Sequence, residues 1–373
     1  RFTDITDQFA PLLLDFGMIT DALWADLTGD DQSELIIAGE WMPIRVFEIE
    51  DGQLAEVTEQ FGLSEISGWW NTLDAGDVNG DGRDDVYLGG SRNFNGKLFL
   101  QTEDGSFIES EQEAFVADRR SEDVDALFFD ATGDGNLDLL VTSGGHEYAG
   151  NAPELIDRLY LNQGNGVFRR SINSIPPLGV NSSVVRGTDI DGDGDTDLFL
   201  GGHSIPWKYG IGTESRILQN NGKGVFRDIT SEIAPELQTI GNVTSAEWIE
   251  LPGSDIPGLA VTGEWMPVHI FIYENDRFRL VTEDAIGGDH YGLWQSLHVA
   301  DVTGDGHQDI IAGNFGLSSR LQPADDSPVY LNVNAFNGNG QTAPLITYLP
   351  DGVERPFESL DELLNQFPEM QDQ

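Results

Sequence analysis

Short apolar runs that end in glycine recur along the chain. The five clearest are 35–39 (LIIAG), 86–90 (VYLGG), 139–145 (LLVTSGG), 198–202 (LFLGG) and 310–313 (IIAG). A strand with one solvated face alternates apolar and polar residues, whereas these runs are continuous. We therefore expect each run to be a strand that is buried on both faces between neighbouring sheets.

Hairpin patterns follow several of these runs. Segments 97–110 (KLFLQTEDGSFIES), 158–171 (RLYLNQGNGVFRRS) and 216–230 (RILQNNGKGVFRDIT) each hold a strand, a turn rich in Gly, Asn or Asp, and a second strand. Helical periodicity is nearly absent before Ser359, where Glu362 completes a capping-box pattern that predicts a short C-terminal helix. The pattern as a whole predicts an all-β protein.

A nine-residue, Asp-rich loop pattern precedes most of the apolar runs. Its strong copies, which we call loops two, three, four and six, are 77–85 (DVNGDGRDD), 130–138 (DATGDGNLD), 189–197 (DIDGDGDTD) and 301–309 (DVTGDGHQD). Loop one at 26–34 (DLTGDDQSE) is weaker, and loop five at 250–258 (ELPGSDIPG) has lost most of its acids. First positions lie 51 to 61 residues apart, which suits a four-stranded propeller blade with its loops.

The spacing predicts a seven-bladed β-propeller over residues 1–357, followed by a helical tail over 358–373. A seventh loop is expected at 335–343, although Ala335 and Ala343 occupy its outer ligand positions. It begins only 34 residues after loop six, too few for a full blade. Six blades, or a ring completed by further C-terminal sequence, are therefore the alternatives.

A longer internal repeat connects two parts of the chain. A shift of 224 residues aligns GEWMP at 39–43 with GEWMP at 263–267, and FTDIT at 2–6 with FRDIT at 226–230. Because the second FxDIT segment ends a blade, we expect Phe2–Thr6 to be an outer strand that closes the ring and removes an exposed sheet edge. The shift also pairs Trp24, Trp41 and Trp70 with Trp248, Trp265 and Trp294, so we expect these side chains to pack between blades.

The loops have the chemistry of calcium sites. Positions one, three, five and nine carry oxygen side chains, position seven offers a carbonyl, and glycines at four and six allow the backbone to wrap round an ion. The expected ligand positions are Asp77, Asn79, Asp81, Arg83 and Asp85; Asp130, Thr132, Asp134, Asn136 and Asp138; Asp189, Asp191, Asp193, Asp195 and Asp197; and Asp301, Thr303, Asp305, His307 and Asp309.

The loops should differ in affinity. Thr132 and Thr303 are neutral ligands, so loops three and six should bind more weakly. Loop one offers Asp26, Thr28, Asp30, Gln32 and Glu34, and either binds a fifth ion or stays empty. Loop five should not bind, because Pro252, Ser254 and Gly258 stand at ligand positions.

The loop pattern has two alternative interpretations. An EF-hand needs a glutamate at position twelve and flanking helices, but Leu88, Val141, Leu200 and Ala312 stand there within predicted strands. Asx-turns between strands are the second alternative, because Asp and Gly favour turns generally. Four near-identical copies at blade spacing favour calcium.

Composition narrows the classes of partner and of metal site that the chain can have. The chain has 65 acidic and 19 basic residues, a net charge of −46, which disfavours nucleic acid and anionic lipid as partners. It has no cysteine, which excludes disulfides and thiolate metal sites, and no apolar run long enough to insert in a membrane. The chain begins at Arg1 without a signal peptide, so we expect a mature form or a fragment whose helical tail continues in a longer parent chain.

Aromatic and histidine residues outside the repeats mark a candidate ligand surface. His146, Tyr148, His203, Trp207 and Tyr209 lie in two long segments that we expect on one face of adjacent blades, and Trp69 has no aromatic counterpart in the repeat. These side chains could stack on a sugar or a peptide, or the loops could simply cover a blade. Catalytic motifs with a nucleophile and a base, or a phosphate loop, are absent from the sequence.

The motifs resemble a known family. The nine-residue loops look like those of FG-GAP/VCBS repeats in integrin α-type propellers. Segments such as GEWMPIRVF and GWWNTLDAGDVNGDGRDD resemble bacterial surface proteins associated with ASPIC/UnbV domains, related to cartilage acidic protein. The resemblance implies a calcium-containing propeller on a secreted or surface-anchored protein, and carries over no catalytic or ligand-binding residue.

Three functions follow as hypotheses. The first is a calcium-stabilised extracellular binding or adhesion module for a protein or glycan partner, without catalysis. The second is a structural subunit of a larger cell-surface assembly. The third is a carbohydrate-active enzyme, such as a lyase that uses calcium to acidify a uronate.

Overall fold

The computed structural model describes residues 2–254, 256–288, 290–324, 326–336 and 342–367. Over these residues the fold is all-β with a few short helices, as the hydrophobic pattern predicts. The chain divides into two compact units, which are Arg1–Leu178 with Gly187–Leu198 and Leu218–Asp228, and Gly179–Arg186 with Phe199–Ile217 and Ile229–Gln373.

The first unit contains two antiparallel sheets. Its strands are β1 (Met18–Ala25), β2 (Glu34–Pro43), β3 (Arg45–Glu50), β4 (Gln53–Glu56), β5 (Ser67–Gly76), β6 (Asp85–Gly90), β7 (Lys97–Gln101), β8 (Phe107–Ser110), β9 (Glu122–Phe129), β10 (Asp138–Gly144), β11 (Arg158–Asn162) and β12 (Phe168–Arg170). The larger sheet has the order β4-β3-β2-β5-β6-β7-β8, with β1 paired to β2, and the smaller has the order β12-β11-β10-β9.

The second unit contains a six-stranded and a three-stranded sheet. Its strands are β17 (Asn242–Ile249), β18 (Gly258–Pro267), β19 (His269–Glu274), β20 (Arg277–Leu280), β21 (Tyr291–Ala300), β22 (Asp309–Asn314), β23 (Val329–Asn334), β24 (Ala343–Tyr348) and β25 (Arg355–Pro356). Four further strands lie between β12 and β17 in the chain, namely β13 (Asn181–Thr188), β14 (Asp197–Ser204), β15 (Arg216–Gln219) and β16 (Arg227–Asp228). The boundary between the units falls within β13, β14 and β15, and β16 belongs to the first unit.

The helices are short and lie between strands or near the ends of the chain. They are α1 (Thr6–Phe9), α2 (Glu113–Ala117), α3 (Thr230–Ile233), α4 (Thr282–Ile286) and α5 (Leu360–Gln366). Helix α5 begins with the predicted capping box, in which Ser359 accepts from the Glu362 backbone and the Glu362 carboxylate accepts from the Ser359 backbone. That prediction is confirmed, whereas the end of the predicted tail, 368–373, lies outside the described residues.

Strand β6 is buried on both faces, as its unbroken apolar run predicts. Leu88 packs into one core cluster with Ile36 and Val46, while its neighbour Tyr87 packs into a second cluster with Leu139. Successive side chains of a strand point to opposite faces, so one strand contributes to two cores. The inner strands β10 and β14 are almost entirely buried in the same way.

Strand β22 departs from this prediction. Ile310 and Ala312 pack against a core cluster, but Ile311 between them is 45% exposed. In the six-stranded sheet, β22 is the last strand, and no strand within the described ranges pairs with its outer edge. Among the described residues, the IIAG run therefore buries one face of β22 and leaves Ile311 on the other face exposed.

The predicted closing strand at the N-terminus is not formed. Residues 2–5 are irregular, helix α1 begins at Thr6, and the Phe2 side chain is 83% exposed. The Asp4 carboxylate accepts hydrogen bonds from the backbone N–H and the hydroxyl of Thr6, both within 2.9 Å. This local turn competes with an extended strand. The middle of the predicted seventh loop, 337–341, lies outside the described residues.

Strand β2 links two four-stranded arrays into one sheet, and strand β18 links a four-stranded array to the two strands β21 and β22. Beyond its pairing with β1, strand β2 pairs with β5 through Met42 and Gly68, and the Ile44 N–H donates to the Ile66 carbonyl at 3.0 Å. Strand β18 pairs with β21 through Met266 in the same way. Glycine is required just before each link, because a Cβ on Gly39 or Gly263 would collide with the carbonyl oxygen of the facing strand.

Candidate metal centres and an aromatic site

The six nine-residue loops occupy one structural position. Each begins directly after the first strand of its array, and its ninth residue opens the second strand. Residues Leu88, Val141, Leu200 and Ala312, at position twelve, lie within strands β6, β10, β14 and β22. The exclusion of an EF-hand is therefore confirmed.

The first Asp of each strong loop organises the loop backbone. In loop two, the Asp77 carboxylate accepts from the N–H groups of Gly80, Asp81 and Gly82 at 2.8 to 3.0 Å. The corresponding three bonds recur for Asp130 and Asp301, and the two glycine bonds recur for Asp189. Gly80 and Gly82 have φ of 75° and 85°, the left-handed conformation that lets the chain curl round the carboxylate.

The ninth residue ties its loop to the next hairpin of the array. Asp85 accepts from Val78 N–H at 3.1 Å within the loop and from Gln101 N–H at 2.9 Å at the end of β7. Asp138 does the same with Ala131 and Asn162, and Asp197 with Ile190 and Asn220. Burial raises the pKa of each of these three carboxyls to about 6, and the hydrogen bonds oppose that rise.

Loop four brings three carboxylates together. One oxygen each from Asp189, Asp191 and Asp197 lies within 4.8 Å of the others. Asp197 is buried, Asp189 is half-buried and Asp191 is exposed, so the group opens to solvent on one side. Three clustered carboxylate oxygens form a donor set suited to a hard divalent cation. The residues at this loop therefore fit the predicted calcium ligands.

The other loops vary as their sequences do. Loop one adopts the same turn, with Asp26 accepting from Gly29, Asp30 and Asp31, and with buried Glu34 accepting from Leu27 N–H at 2.8 Å. In loop five, Ser254 donates to the Ile256 carbonyl, and Asp255 lies outside the described residues. In loop six, Asp309 is only half-buried and accepts from Val302 and Thr303 within its own loop.

The predicted aromatic and histidine cluster divides between the two units. His146, Tyr148 and Trp69 belong to the first unit, and His203, Trp207 and Tyr209 to the second. Trp207 is 69% exposed, and the hydroxyl of Tyr148 accepts weakly from Arg120. His203 and Tyr209 are brought together by Glu264, a residue that the sequence did not single out.

Glu264 is the centre of a polar network beside an aromatic ring. Tyr209 donates its hydroxyl proton to Glu264 Oε2 at 2.6 Å and accepts from Trp265 Nε1 at 2.9 Å, and Gln295 donates to Glu264 Oε1 at 3.2 Å. His203 Nε2 lies 3.9 Å from the carboxylate, close enough for an ion pair when the ring is protonated. Burial raises the pKa of Glu264, but these neighbours outweigh burial and lower it to about 2.

The tryptophans of the two GEWMP segments are not packed between sheets as predicted. Trp70 is 3% exposed, which confirms the prediction for that residue, but Trp24 is 47% and Trp41 is 70% exposed. Trp41 and Trp265 sit at register shifts in β2 and β18, with φ of 56° and 61°. A bulge re-aims the side chain, so the Trp41 ring leaves the core and the Trp265 ring is only half-buried. Trp41 packs on Trp69 with ring centroids 4.9 Å apart.

Comparisons with known proteins agree with the loop pattern. Residues 26–88, 77–141 and 130–200 match the family model described as an FG-GAP-like repeat. Each matched segment begins at the first residue of a loop and ends at position twelve of the following loop. No curated protein matches the chain in sequence.

Several solved structures resemble the chain at low sequence identity. BBS1N, in a mercury-soaked crystal of its complex with ARL6DN, has a TM-score of 0.47 and 10% identity, over 91% of this chain and 92% of that one. Sqt1 of Saccharomyces cerevisiae has a TM-score of 0.43 and 14% identity, over 87% and 81%. The V. cholerae biofilm matrix protein Bap1 has a TM-score of 0.38 and 13% identity, over 92% and 60%.

The fold and the family match agree on the repeat type. None of the helices that the structure describes is long and apolar enough to cross a bilayer. Residues 26–200 carry FG-GAP-like repeats in three tandem copies, on a β-rich, propeller-like fold.

Proposed function

We propose that the chain is a calcium-stabilised extracellular binding module, used for adhesion or scaffolding and without catalysis. The observation that carries the proposal is the convergence of Asp189, Asp191 and Asp197 within 4.8 Å in a loop whose conformation recurs along the chain. Three carboxylates at this separation repel one another unless a cation lies among them.

The residues that would hold calcium are those at positions one, three, five, seven and nine of each strong loop. In loop four these are Asp189, Asp191, Asp193, the Asp195 carbonyl and Asp197, and loops two, three and six offer the equivalent oxygens. Bound calcium supplies a divalent charge that six to eight oxygens can share. Loop one is the candidate for a fifth ion.

The ninth residue makes such a site structural. Asp85, Asp138 and Asp197 hydrogen-bond both to their own loop and to the end of the following hairpin. A cation that fixes this carboxylate would therefore fix two elements of the array at once. This geometry supports a role in holding the fold rather than in activating a water molecule.

The finer features of the proposal rest on the sequence. A seven-bladed propeller with bound calcium is supported by the three tandem repeats and by the six loops at one hairpin position. Kinship with bacterial surface proteins associated with ASPIC/UnbV domains, secretion, and a protein or glycan partner follow from the motif resemblance and from the net charge of −46.

A thermal melt with controlled calcium tests the metal half of the proposal. We expect EDTA to lower the melting temperature of the purified chain and millimolar CaCl₂, but not equimolar MgCl₂, to restore it. At calcium 100-fold above its Kd, each site adds about 2.7 kcal/mol. Asp189→Asn with Asp191→Asn should reduce the shift, and Ser254→Ala in loop five is the matched control. An identical melting temperature in EDTA and calcium contradicts the proposal.

A ligand screen tests the proposed role as a binding module. Arrays of glycans and of extracellular proteins, probed with the chain in calcium and in EDTA, should give at least one specific ligand whose binding requires calcium. Enzymatic turnover of a polysaccharide, lost on mutation of His146 or His203, would replace this proposal with the lyase hypothesis.

A further inference from the structure

The second unit contains a cavity of about 760 Å³ that the calcium loops do not use. The rings of Trp265, Tyr291 and Tyr330 form part of its wall, and the amides of Asn314 and Gln322 add polar groups. Its volume is within the range of pockets that hold small molecules.

The wall carries no formal charge over the described residues. None of its fourteen lining residues is Asp, Glu, Lys, Arg or His, in a chain with 65 acidic residues. A charged ligand would find no partner of opposite charge on this described wall. The wall therefore favours a neutral ligand.

The polar groups of the wall are complementary to hydroxyls. Asn314 uses its Oδ1 to accept from Gly316 N–H at 2.9 Å, and Gln322 uses its Nε2 to donate to the Ser319 carbonyl at 2.8 Å. Within the described part of the chain, Asn314 Nδ2 and Gln322 Oε1 make no hydrogen bond, which leaves one donor and one acceptor. A hydroxyl both donates and accepts, so it can pair with either group.

The Trp265 ring is held in place by the Glu264 network. The Trp265 backbone has a φ of 61°, which is uncommon for a bulky residue, and such conformations persist where the surroundings fix them. The ring Nε1–H is used by Tyr209, which in turn donates to Glu264. With the polar atom of the indole engaged, the ring offers the cavity an apolar surface for packing.

We propose that this cavity binds a neutral saccharide unit. The Trp265, Tyr291 and Tyr330 rings would pack against the C–H face of the sugar, and the Asn314 and Gln322 amides would pair with its hydroxyls. This inference deepens the binding role proposed above and rests on it, by naming the class of ligand. A peptide also carries backbone N–H and C=O groups that could pair with the two amides, so an apolar peptide is the competing ligand in the test.

Calorimetric titration of the full chain in calcium buffer tests the inference. The probes are maltose, cellobiose and lactose, with glucuronic acid and glucosamine as charged comparators and a blocked Leu-Pro-Trp-Pro peptide as the apolar one. We expect at least one neutral disaccharide to bind, at least about tenfold more tightly than either charged sugar. Trp265→Ala and Tyr330→Ala should each weaken that binding by about tenfold or more.

The chain supplies a matched control. Trp41 occupies the same place in the other GEWMP segment, also at positive φ, and lies in the first unit. Trp41→Ala should leave the affinity unchanged. If Trp265→Ala lowers the melting temperature, Tyr330→Ala decides, because Tyr330 is 45% exposed.

Three outcomes would overturn the inference. They are no heat from any neutral saccharide, an affinity unchanged in both cavity variants, and preferential binding of the charged sugars or of the peptide. A calcium-dependent melting temperature measured on the same sample separates the two proposals. If calcium still stabilises the chain while saccharides fail to bind, the cavity inference falls and the calcium-stabilised module stands.

Discussion

Residues 18–90 and 242–314 are two copies of one plan, related by a shift of 224. Both have a bulge in the first strand, at Thr20 and Thr244. The hydroxyl of each threonine donates to a tryptophan carbonyl, of Trp70 at 2.8 Å and of Trp294 at 2.9 Å. The two copies thus share this bond, with lengths that agree to within a tenth of an ångström.

The surroundings of the two GEWMP segments differ. Trp41 packs on Trp69 and stays 70% exposed, whereas the position of Trp69 is taken in the second copy by Leu293. There, Trp265 bonds to Tyr209 and borders a cavity. One pentapeptide therefore gives an exposed ring stack in one place and a cavity wall in another, and the neighbouring residues decide which.

The second loops of the two copies differ in burial. Asp85 is fully buried and bonded to Gln101 at the end of a third strand. Asp309 is half-buried and bonds only within its loop, because β22 ends its sheet in the described part of the chain. The third strand, rather than the loop sequence, completes the surroundings of the ninth residue.

The largest contrast is expected from alanine at these two aspartates. Asp85→Ala leaves the N–H groups of Val78 and Gln101 buried without an acceptor, at roughly 1–3 kcal/mol each, or about 2–6 kcal/mol in all. Asp309→Ala should cost about 1 kcal/mol or less, because its loop N–H groups can reach water. Urea unfolding in EDTA, which removes any metal contribution, measures both. Equal losses would show that the third strand is irrelevant.

A smaller contrast is expected in acid. The pKa of Glu264, about 2, lies below its ordinary 4.5, so its ionised form stabilises the fold above about pH 5, and this contribution disappears as the pH falls toward 2. After allowance for solvent screening, the effect is on the order of 1 kcal/mol. Glu264→Gln should be less stable than wild type at pH 7, and the difference should shrink by pH 3.

The matched substitution in the first copy is Glu40→Gln. Within the described residues, no tyrosine hydroxyl bonds to Glu40 as Tyr209 bonds to Glu264, so we expect Glu40→Gln to cost less stability than Glu264→Gln at pH 7; both variants are then followed from pH 7 to 3. Free energies of unfolding across this range, by urea titration followed by circular dichroism, provide the comparison. A Glu264→Gln difference that is constant with pH would contradict the proposed ionic role.

The smallest effect is expected at the exposed ring stack. Trp69→Leu places leucine at the position that Leu293 occupies in the second copy, and it removes the ring contact with Trp41. Because Trp41 is 70% exposed, the loss should be below about 1 kcal/mol. A change in tryptophan fluorescence without a change in the urea midpoint would agree with this, and a loss above about 2 kcal/mol would show that the stack supports the fold.

Local patterns predicted local structure well. The loop positions, the burial of β6 on both faces and the Ser359 capping box all depend on residues close in sequence.

The prediction of a strand at Phe2–Thr6 was wrong, because a repeat match cannot detect the competing Asp4–Thr6 turn. The prediction that β22 is buried on both faces was wrong, because burial of a strand face depends on packing by residues distant in sequence, which a local apolar run does not report. The Glu264 network was missed because Glu264 and Glu40 stand in identical pentapeptides, and only the distant Tyr209 tells them apart.

The link between β2 and β5 has a consequence for how the molecule opens. The bond from Ile44 to Ile66 and the pairing of Met42 with Gly68 belong to both four-stranded arrays. If either array opens at this link, hydrogen bonds of the other array break as well, and the amide protons of both lose their protection from exchange. Hydrogen exchange should therefore release β2 and β5 together, so that two repeats form one cooperative unit instead of fraying singly as in an open solenoid.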